Sequence, residues 1–464
     1  MSGIIVNETS GSRLLKQVIK LSIPAILAEL TSVVMQYIDA AMVGSLGREA
    51  TAAIGLVSTT TWLIGGLCIS LSMGFSVQIA HLIGAGNEKE ARNVLRQSLL
   101  VALIFGCMLS LFSVSIHKNL PVWLGGNEKV IKSSSAYFLI FSCALPFEQL
   151  RMISSNILQC SGNMKTPSVL NILLCILDVI FNFLFIFPTR QIDIPLLNVE
   201  ITAYGAGMGV KGAALGTAAS EIVITVLMLY FLLFRSNILS LRKGGSWKLK
   251  KSCLKKALKI SLPAAFEHTA TCGAYVAATK IIAPLGNVSI AANSLAVTAE
   301  SFCYMPGYGI GSAATTLVGQ SLGAKRRDLA KKYALITITL GVVIMSVLAV
   351  VMYITAPFMF SILINEQTVR DLGANVLRIE AFAEPLYGAS IVCSGVLRGA
   401  GDTLFPSIIN LVSMWGVRIT LSLLLVSSLG LKGIWLAMCI ELCFRGVLFL
   451  IRTMRGKWLG KVLI

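Results

Sequence analysis

The chain alternates long apolar runs with short polar breaks. Twelve runs approach or exceed twenty residues, the length that crosses a bilayer core as a helix. In the first half they cover 17–42, 51–81, 97–116, 134–158, 168–188 and 210–234. In the second half they cover 257–283, 290–320, 333–356, 374–397, 405–427 and 432–451. Outer-membrane strands would alternate apolar and polar positions over about ten residues, whereas these runs are continuous. The pattern predicts an all-α polytopic membrane protein with twelve transmembrane helices.

The runs repeat. A shift of 239 residues carries Ser22, Pro24 and Ala25 onto Ser261, Pro263 and Ala264, and Gly84 and Ala85 onto Gly323 and Ala324. It also carries Leu158, Gly162, Pro167, Ser168 and Asn171 onto Leu397, Gly401, Pro406, Ser407 and Asn410. Beyond that the shift becomes 221, with Lys211, Gly212 and Leu215 on Lys432, Gly433 and Leu436, so the first half holds an 18-residue insertion near 188–209. Six spans per repeat return the chain to its starting side, so the two repeats insert in parallel. Such repeats are the usual build of secondary transporters, with the substrate site between them near the midplane. The expected layout is an N-lobe of helices 1–6 (1–234), a basic linker (235–256) and a C-lobe of helices 7–12 (257–464).

Composition narrows the class. Of 464 residues, 56% are hydrophobic and 13% charged, against roughly 25% charged in a soluble domain. That excludes a water-soluble globule, a disordered chain, a collagen-like fibre and a nucleic-acid-binding module. The net charge of +18 reads as topology. Arg235, Arg242, Lys243, Lys248, Lys250, Lys251, Lys255, Lys256 and Lys259 cluster around the linker. Lys89, Arg92 and Arg96 follow the second span, Lys325, Arg326, Arg327, Lys331 and Lys332 the eighth, and Arg452, Arg455, Lys457 and Lys461 end the chain. With twelve spans these share one side, while the opposite loops hold few, such as Lys118, Lys129, Lys132 and Arg190. The positive-inside rule then places both termini in the cytoplasm, in a plasma-membrane protein. The N-terminus shows no signal-peptide cleavage pattern. Eleven cysteines, an odd number without a CxxC pair, read as packing residues with free thiols. No Walker A loop, Ser-His-Asp arrangement or metal spacing stands out, so no enzyme, no cofactor and no structural metal is expected.

Charges inside spans cost roughly 2.5–3.5 kcal/mol each at a helix centre, which makes them functional candidates. Asp39 lies in the first span, where the repeat has Ala278. Asn171, Asp178 and Asn182 form one stripe of the fifth span. The 239-residue shift sets Asp178 and Asn182 against apolar Val417 and Leu421, whereas Asn171 meets Asn410, as interhelical packing would require. Asp178 and Asn182, one turn apart, can coordinate the same ion or water. Thr217 could add an oxygen, and Glu221 lies one turn deeper. In the seventh span Glu267 has Ala28 as its equivalent. His268 and Glu29 either join a polar cavity or face interfacial water. Glu300, Glu384 and Arg418 also lie in or near spans, and Arg418 is expected to pair with an acid or with backbone carbonyls. Pro24, Pro263 and Pro385 can kink their helices.

The motifs Ile-Asp-Ala-Ala-Met-Val-Gly-Ser-Leu-Gly (38–47), Gly-Ala-Gly-Asn-Glu-Lys-Glu-Ala (84–91), Leu-Gln-Cys-Ser-Gly-Asn-Met-Lys-Thr-Pro (158–167), Ala-Ala-Thr-Thr-Leu-Val-Gly-Gln-Ser-Leu-Gly-Ala (313–324) and Leu-Arg-Gly-Ala-Gly-Asp-Thr (397–403) carry a resemblance. The chain resembles the multidrug and toxic compound extrusion (MATE) family over roughly residues 15–450. The resemblance implies two six-helix lobes around a central cavity. It also implies antiport, with organic, often cationic and amphipathic compounds leaving as H⁺ or Na⁺ enters. By the same resemblance Asp39 and Thr217 match the N-lobe cation site, with Asp178 and Asn182 supplying the fifth-helix ligands in swapped order. Glu267 looks like the C-lobe glutamate of another branch. Its partner aspartate falls on Tyr387, with Glu384 three residues earlier as a substitute. The expected partners are a small organic substrate and the lipid bilayer, for a protein acting as a monomer. A flippase for a lipid-linked substrate on a related fold is the alternative. It should show several basic residues facing the cavity, whereas the spans here hold mostly acids. A major-facilitator-type transporter shares the topology but not these motifs.

Overall fold

The computed structural model describes residues 11–194, 199–242 and 244–460, and of the side chains at 192–203 nothing further is said. Lys243 and Lys461 lie outside the described residues. Twelve long helical segments follow the predicted runs. They are α1 (Gly11–Gly44), α2 (Arg48–Gly84), α3 (Glu88–Ile116), α4 (Glu128–Cys160), α5 (Lys165–Ile186) and α6 (Val210–Arg235) in the first half. The second half has α7 (Lys251–Ile282), α8 (Asn287–Gly323), α9 (Arg327–Leu363), α10 (Gln367–Ala381 and Glu384–Gly399), α11 (Leu404–Leu429) and α12 (Leu431–Met454). Nine of these are long and apolar enough to cross a membrane among the described residues; α7, α8 and α10 are the remaining three. Asn87 caps α3 and Asn127 caps α4, each accepting a backbone N–H three residues on. Pro24 and Pro263 lie inside α1 and α7, while Pro385 sits in the first turn after the break in α10, where a missing N–H is harmless.

The insertion at 188–209 is a β-hairpin, a departure from a purely helical chain. Strand β1 (Pro188–Ile194) pairs antiparallel with β2 (Val199–Ala206), Arg190 opposite Ala203. The period-two alternation in Gln-Ile-Asp-Ile and Val-Glu-Ile-Thr is the signal for it.

Each half reaches into the other. Leu14, Val18 and Leu21 of α1 pack in a core made by α8–α12, whereas Cys253 and Ala257 of α7 pack in the core of α2–α6. The linker lies along the start of α3. Lys250 N–H donates to Gln97 Oε1 at 2.8 Å, Ser246 N–H to Asn93 Oδ1 at 3.2 Å, and Arg92 to the Ile238 carbonyl at 3.0 Å.

On this basic face the halves clasp through pseudo-equivalent pairs. His81 Nε2 bonds the Gly399 carbonyl at 2.9 Å, and Gln320 Nε2 donates to the Cys160 carbonyl at 2.8 Å. His81 and Gln320 are 239 residues apart, as are Cys160 and Gly399. Gly84 and Gly323 make the approach possible: a Cβ on either would sit 2.0 Å from a backbone oxygen, of Gln320 and His81 respectively.

The two halves diverge in α5 and α11. Helix α5 is regular, whereas α11 contains a π-helical stretch, Val412–Ile419. Before that stretch Asn171 matches Asn410, a shift of 239. After it the shift is 240. Gly209 N–H bonds the Ile186 carbonyl at 3.1 Å, and its equivalent Gly430 N–H bonds the Val426 carbonyl at 3.0 Å. Both glycines sit at positive φ, +56° and +57°. A π-turn accommodates one extra residue. It therefore moves Arg418 and Ser422 into the positions that Asp178 and Asn182 hold, correcting the sequence alignment onto Val417 and Leu421.

Candidate functional site

Two polar centres lie inside the helices. In the first half, α1 brings Asp39 against α5 and α6. Asn182 Nδ2 donates to Asp39 Oδ1 at 3.0 Å and to Asp178 Oδ2 at 2.9 Å. Ser220 donates to Asp178 Oδ1 at 3.3 Å, and Thr217 donates to Asp178 as well. The two carboxyls touch each other directly. Asp178 is 0% exposed and Asn182 1%. Gly216 lets α6 approach: a Cβ there would lie 2.1 Å from Asn182 Oδ1. The structure thus brings Asp39, Asp178, Asn182 and Thr217 together. Asn182 Oδ1 is buried without a partner. Rotating that amide would turn an oxygen toward the carboxylates, completing a set of hard oxygen donors that suits Na⁺; in the orientation seen, the amide donates to both acids, which suits a shared proton.

Between the halves lies a cavity of about 390 Å³, its inner end formed by Gln159, Cys160 and Thr315 next to the clasp. This volume falls in the range of small-molecule sites. Glu29, Glu267, His268, Glu300, Tyr387 and Arg418 all line it. So do Arg398 and Arg445, giving three glutamates and three arginines. The sequence reading of mostly acids is corrected here, because the fold turns Arg398 and Arg445 inward.

The second-half residues divide. Glu267 accepts from Arg398 at 3.1 Å, from Ser407 at 2.9 Å and from Asn410. Its carboxylate is therefore held by α10 and α11 near the basic face, not by Glu384 or Tyr387. Tyr387 packs against Tyr304 with the rings tilted and centroids 5.7 Å apart, under the guanidinium of Arg445. Glu384 is 0% exposed and lines no part of the cavity; the Cys303 thiol is the neighbour of its carboxyl. Arg418 contacts the sulfur of Met438, not the acid or carbonyl expected of it. His268 packs over Gly66 of α2, where a Cβ would lie 2.7 Å from Nδ1. Asn171 Oδ1 is buried and unpartnered, and the acid to which Asn410 Nδ2 donates has Ala28 as its first-half equivalent. Glu221 pairs with Arg151 inside the first half, away from the cavity.

The MatE family pattern matches residues 24–184 and again 263–424, once in each half. The chain belongs to the MatE family. It is similar to the probable multidrug resistance protein NorM of Thermotoga maritima, 26% identical over 456 residues that cover 96% of this chain and 93% of the relative. It is also similar to human multidrug and toxin extrusion protein 1, 23% identical across 96% of this chain and 75% of that protein. The fold matches an outward-facing multidrug resistance MATE family transporter, with a TM-score of 0.86 and 21% identity over 98% of this chain and 100% of the other. Family membership makes this a multi-pass membrane transporter rather than an enzyme.

Sequence reasoning passed over five charged residues of this MatE protein. Glu380, Glu441 and Arg445 lie within the second-half spans, Glu148 and Arg151 within the fourth. Arg445 pairs with Glu441 at 3.0 Å. The signal was present in each case: an ionisable residue inside an apolar run, the same test that found Asp39.

Proposed function

We propose that this chain is a cation-coupled antiporter, taking in H⁺ or Na⁺ and exporting organic, cationic or amphipathic compounds by alternating access of its two halves. The observation that carries the reading is the contact between Asp39 and Asp178. A buried carboxyl in contact with a half-buried one inside the helix bundle cannot readily stay ionised together with it unless a proton or a cation lies between them. Binding that cation changes the charge between α1, α5 and α6. Coupling requires only that the ion favour one arrangement of the halves over the other. The clasp on the basic face is the contact that must open in exchange. Each pH unit supplies roughly 1.4 kcal/mol per proton, and each charge moved adds about 2.3 kcal/mol per 100 mV. The cavity between the halves takes the exported compound, and the names of the relatives support a drug or toxin as that compound. The protein works as a monomer in the bilayer, with both termini cytoplasmic, as the basic linker and turns favour.

The test is dye efflux from proteoliposomes under an imposed proton gradient and then a sodium gradient. Wild type is compared with Asp39→Asn and Glu267→Gln. Efflux lost in Asp39→Asn supports ion coupling in the first half. Loss only in Glu267→Gln moves the coupling site to the second half. No efflux under either gradient from correctly inserted protein sinks the exporter reading.

A further inference from the structure

Among the described residues the guanidinium of Arg418 makes no salt bridge; Glu300 and Glu380 act on it only through space. Arg418 lines the cavity half-buried, and its one described hydrogen-bond contact is the Met438 sulfur. Arg445 beside it is already ion-paired with Glu441 and stacked over Tyr387. Glu300 also lines the cavity and feels the charges of Arg418 and Arg445, but among the described residues no hydrogen bond or salt bridge joins it to Arg418. An arginine in this setting is costly unless its donors are met.

The backbone places it there through a specific device. The π-turn at Val412–Ile419 sets Arg418 in the position that Asp178 occupies in the first half. The contacts agree: Asp178 meets Thr217, Arg418 meets Met438, and Thr217 and Met438 are equivalents at a shift of 221. One half thus presents a carboxylate and the other a guanidinium at the same place. π-bulges recur at functional sites because they re-aim one side chain. Around Arg418 the cavity wall is aromatic, with Tyr275, Tyr304, Tyr308 and Tyr387 lining it.

We propose that Arg418 is a substrate-binding residue that takes the carboxylate of an aromatic compound, the rings lying against the tyrosine wall. This rests on the reading of the cavity as the substrate site. A guanidinium holds a carboxylate through two parallel N–H donors, and tyrosine faces accept a planar ring system. Glu300 is the charge that a bound anion must face.

The experiment measures binding of two xanthene dyes to purified full-length protein in detergent by fluorescence anisotropy. Fluorescein carries a free carboxylate; rhodamine 6G is an esterified cation of similar shape. Arg418→Gln should weaken fluorescein binding by about tenfold or more, the usual effect of losing a charged hydrogen bond, and leave rhodamine 6G within about twofold. Arg418→Lys should keep part of the affinity, since it keeps the charge and loses the fork. Glu300→Gln should tighten fluorescein binding. Equal loss for both dyes in Arg418→Gln, or no loss for either, overturns the assignment. If wild type binds rhodamine 6G but not fluorescein, the assignment falls and the cavity reading stands. If wild type binds neither dye, both fall together.

Discussion

Helices α5 and α11 are the same element of a duplicated fold put to different uses. Both carry, in their second turn, an Asn that the repeat preserves, Asn171 and Asn410. In α5 the helix runs on regularly and delivers Asp178 and Asn182 to Asp39. In α11 a π-turn takes up one extra residue and delivers Arg418 to the cavity. The polar centre of the second half lies lower, where Asn410 and Ser407 hold Glu267. The first half has Ala28 at that level, and its Asn171 keeps an unpartnered oxygen. A duplicated scaffold thus keeps its packing landmarks and its clasp while placing one acid centre per half at different depths. The two centres can then respond to different ligands.

The comparison breaks most severely at Asp39. Asp39→Asn or Asp178→Asn leaves a single carboxyl, which no longer needs a shared cation. Gradient-driven efflux should fall by about tenfold or more, because the coupling free energy that links ion to substrate is removed. The double variant should be no worse than either single one if the pair acts as a unit, and flux measured in the same vesicles decides it.

The π-turn offers the next test. Deleting Gly416 removes the extra residue and gives α11 the regular geometry of α5, without shifting the contacts at either end. The variant should insert, and its melting temperature should stay within about 5 °C of wild type. Deleting one residue of α5, such as Leu173, rotates Asp178 and Asn182 away from Asp39 by about 100° and should abolish ion coupling. Equal damage from both deletions would show that the π-turn is as tightly specified as the regular helix.

Twelve spans and a duplication were legible because continuous apolar runs and Gly and Pro landmarks survive without any knowledge of packing. Asp39, Asp178, Asn182 and Thr217 could be collected from charge inside the spans and from the resemblance. The π-turn was not legible. The one-residue change from 239 to 240 falls in an apolar stretch with no landmark to reveal it. Sequence alone therefore set Asp178 against a valine. Glu267 was found as a charge, but its partners come from the inward ends of α10 and α11, which no spacing rule connects to α7. The β-hairpin was seen as an insertion and not as strands, since attention lay on the apolar runs around it.

The clasp tests the symmetry itself, with a smaller effect. Gly84→Ala and Gly323→Ala each push a methyl into a backbone oxygen of the other half. Overpacking of this kind costs about 1–3 kcal/mol, here in the arrangement closed on the basic face. The two variants should shift efflux rates alike. A tenfold disparity between them would mean that the pseudo-equivalent contacts are not energetic equivalents.

The smallest effect belongs to the linker, which only the first half carries. Lys250 approaches Glu90 at 2.7 Å, and Asn93 donates to the same carboxylate at 3.0 Å. The Lys250 ammonium, with Asn93, holds the Glu90 carboxyl below its ordinary value. A carboxyl lowered in the folded state stabilises it above its unfolded value, about 4.3. That stabilisation is lost as pH falls below about 4 toward the lowered folded value. The two side chains are 48% and 32% exposed to solvent, so screening leaves well under about 1 kcal/mol. Glu90→Gln should therefore leave the melting temperature nearly unchanged and flatten its fall on acidification below about pH 4. Protease cleavage after the linker lysines should quicken slightly at neutral pH, because the segment loses one of its ties to α3. An unchanged acid profile in Glu90→Gln would place the pH dependence elsewhere, in groups that both halves share.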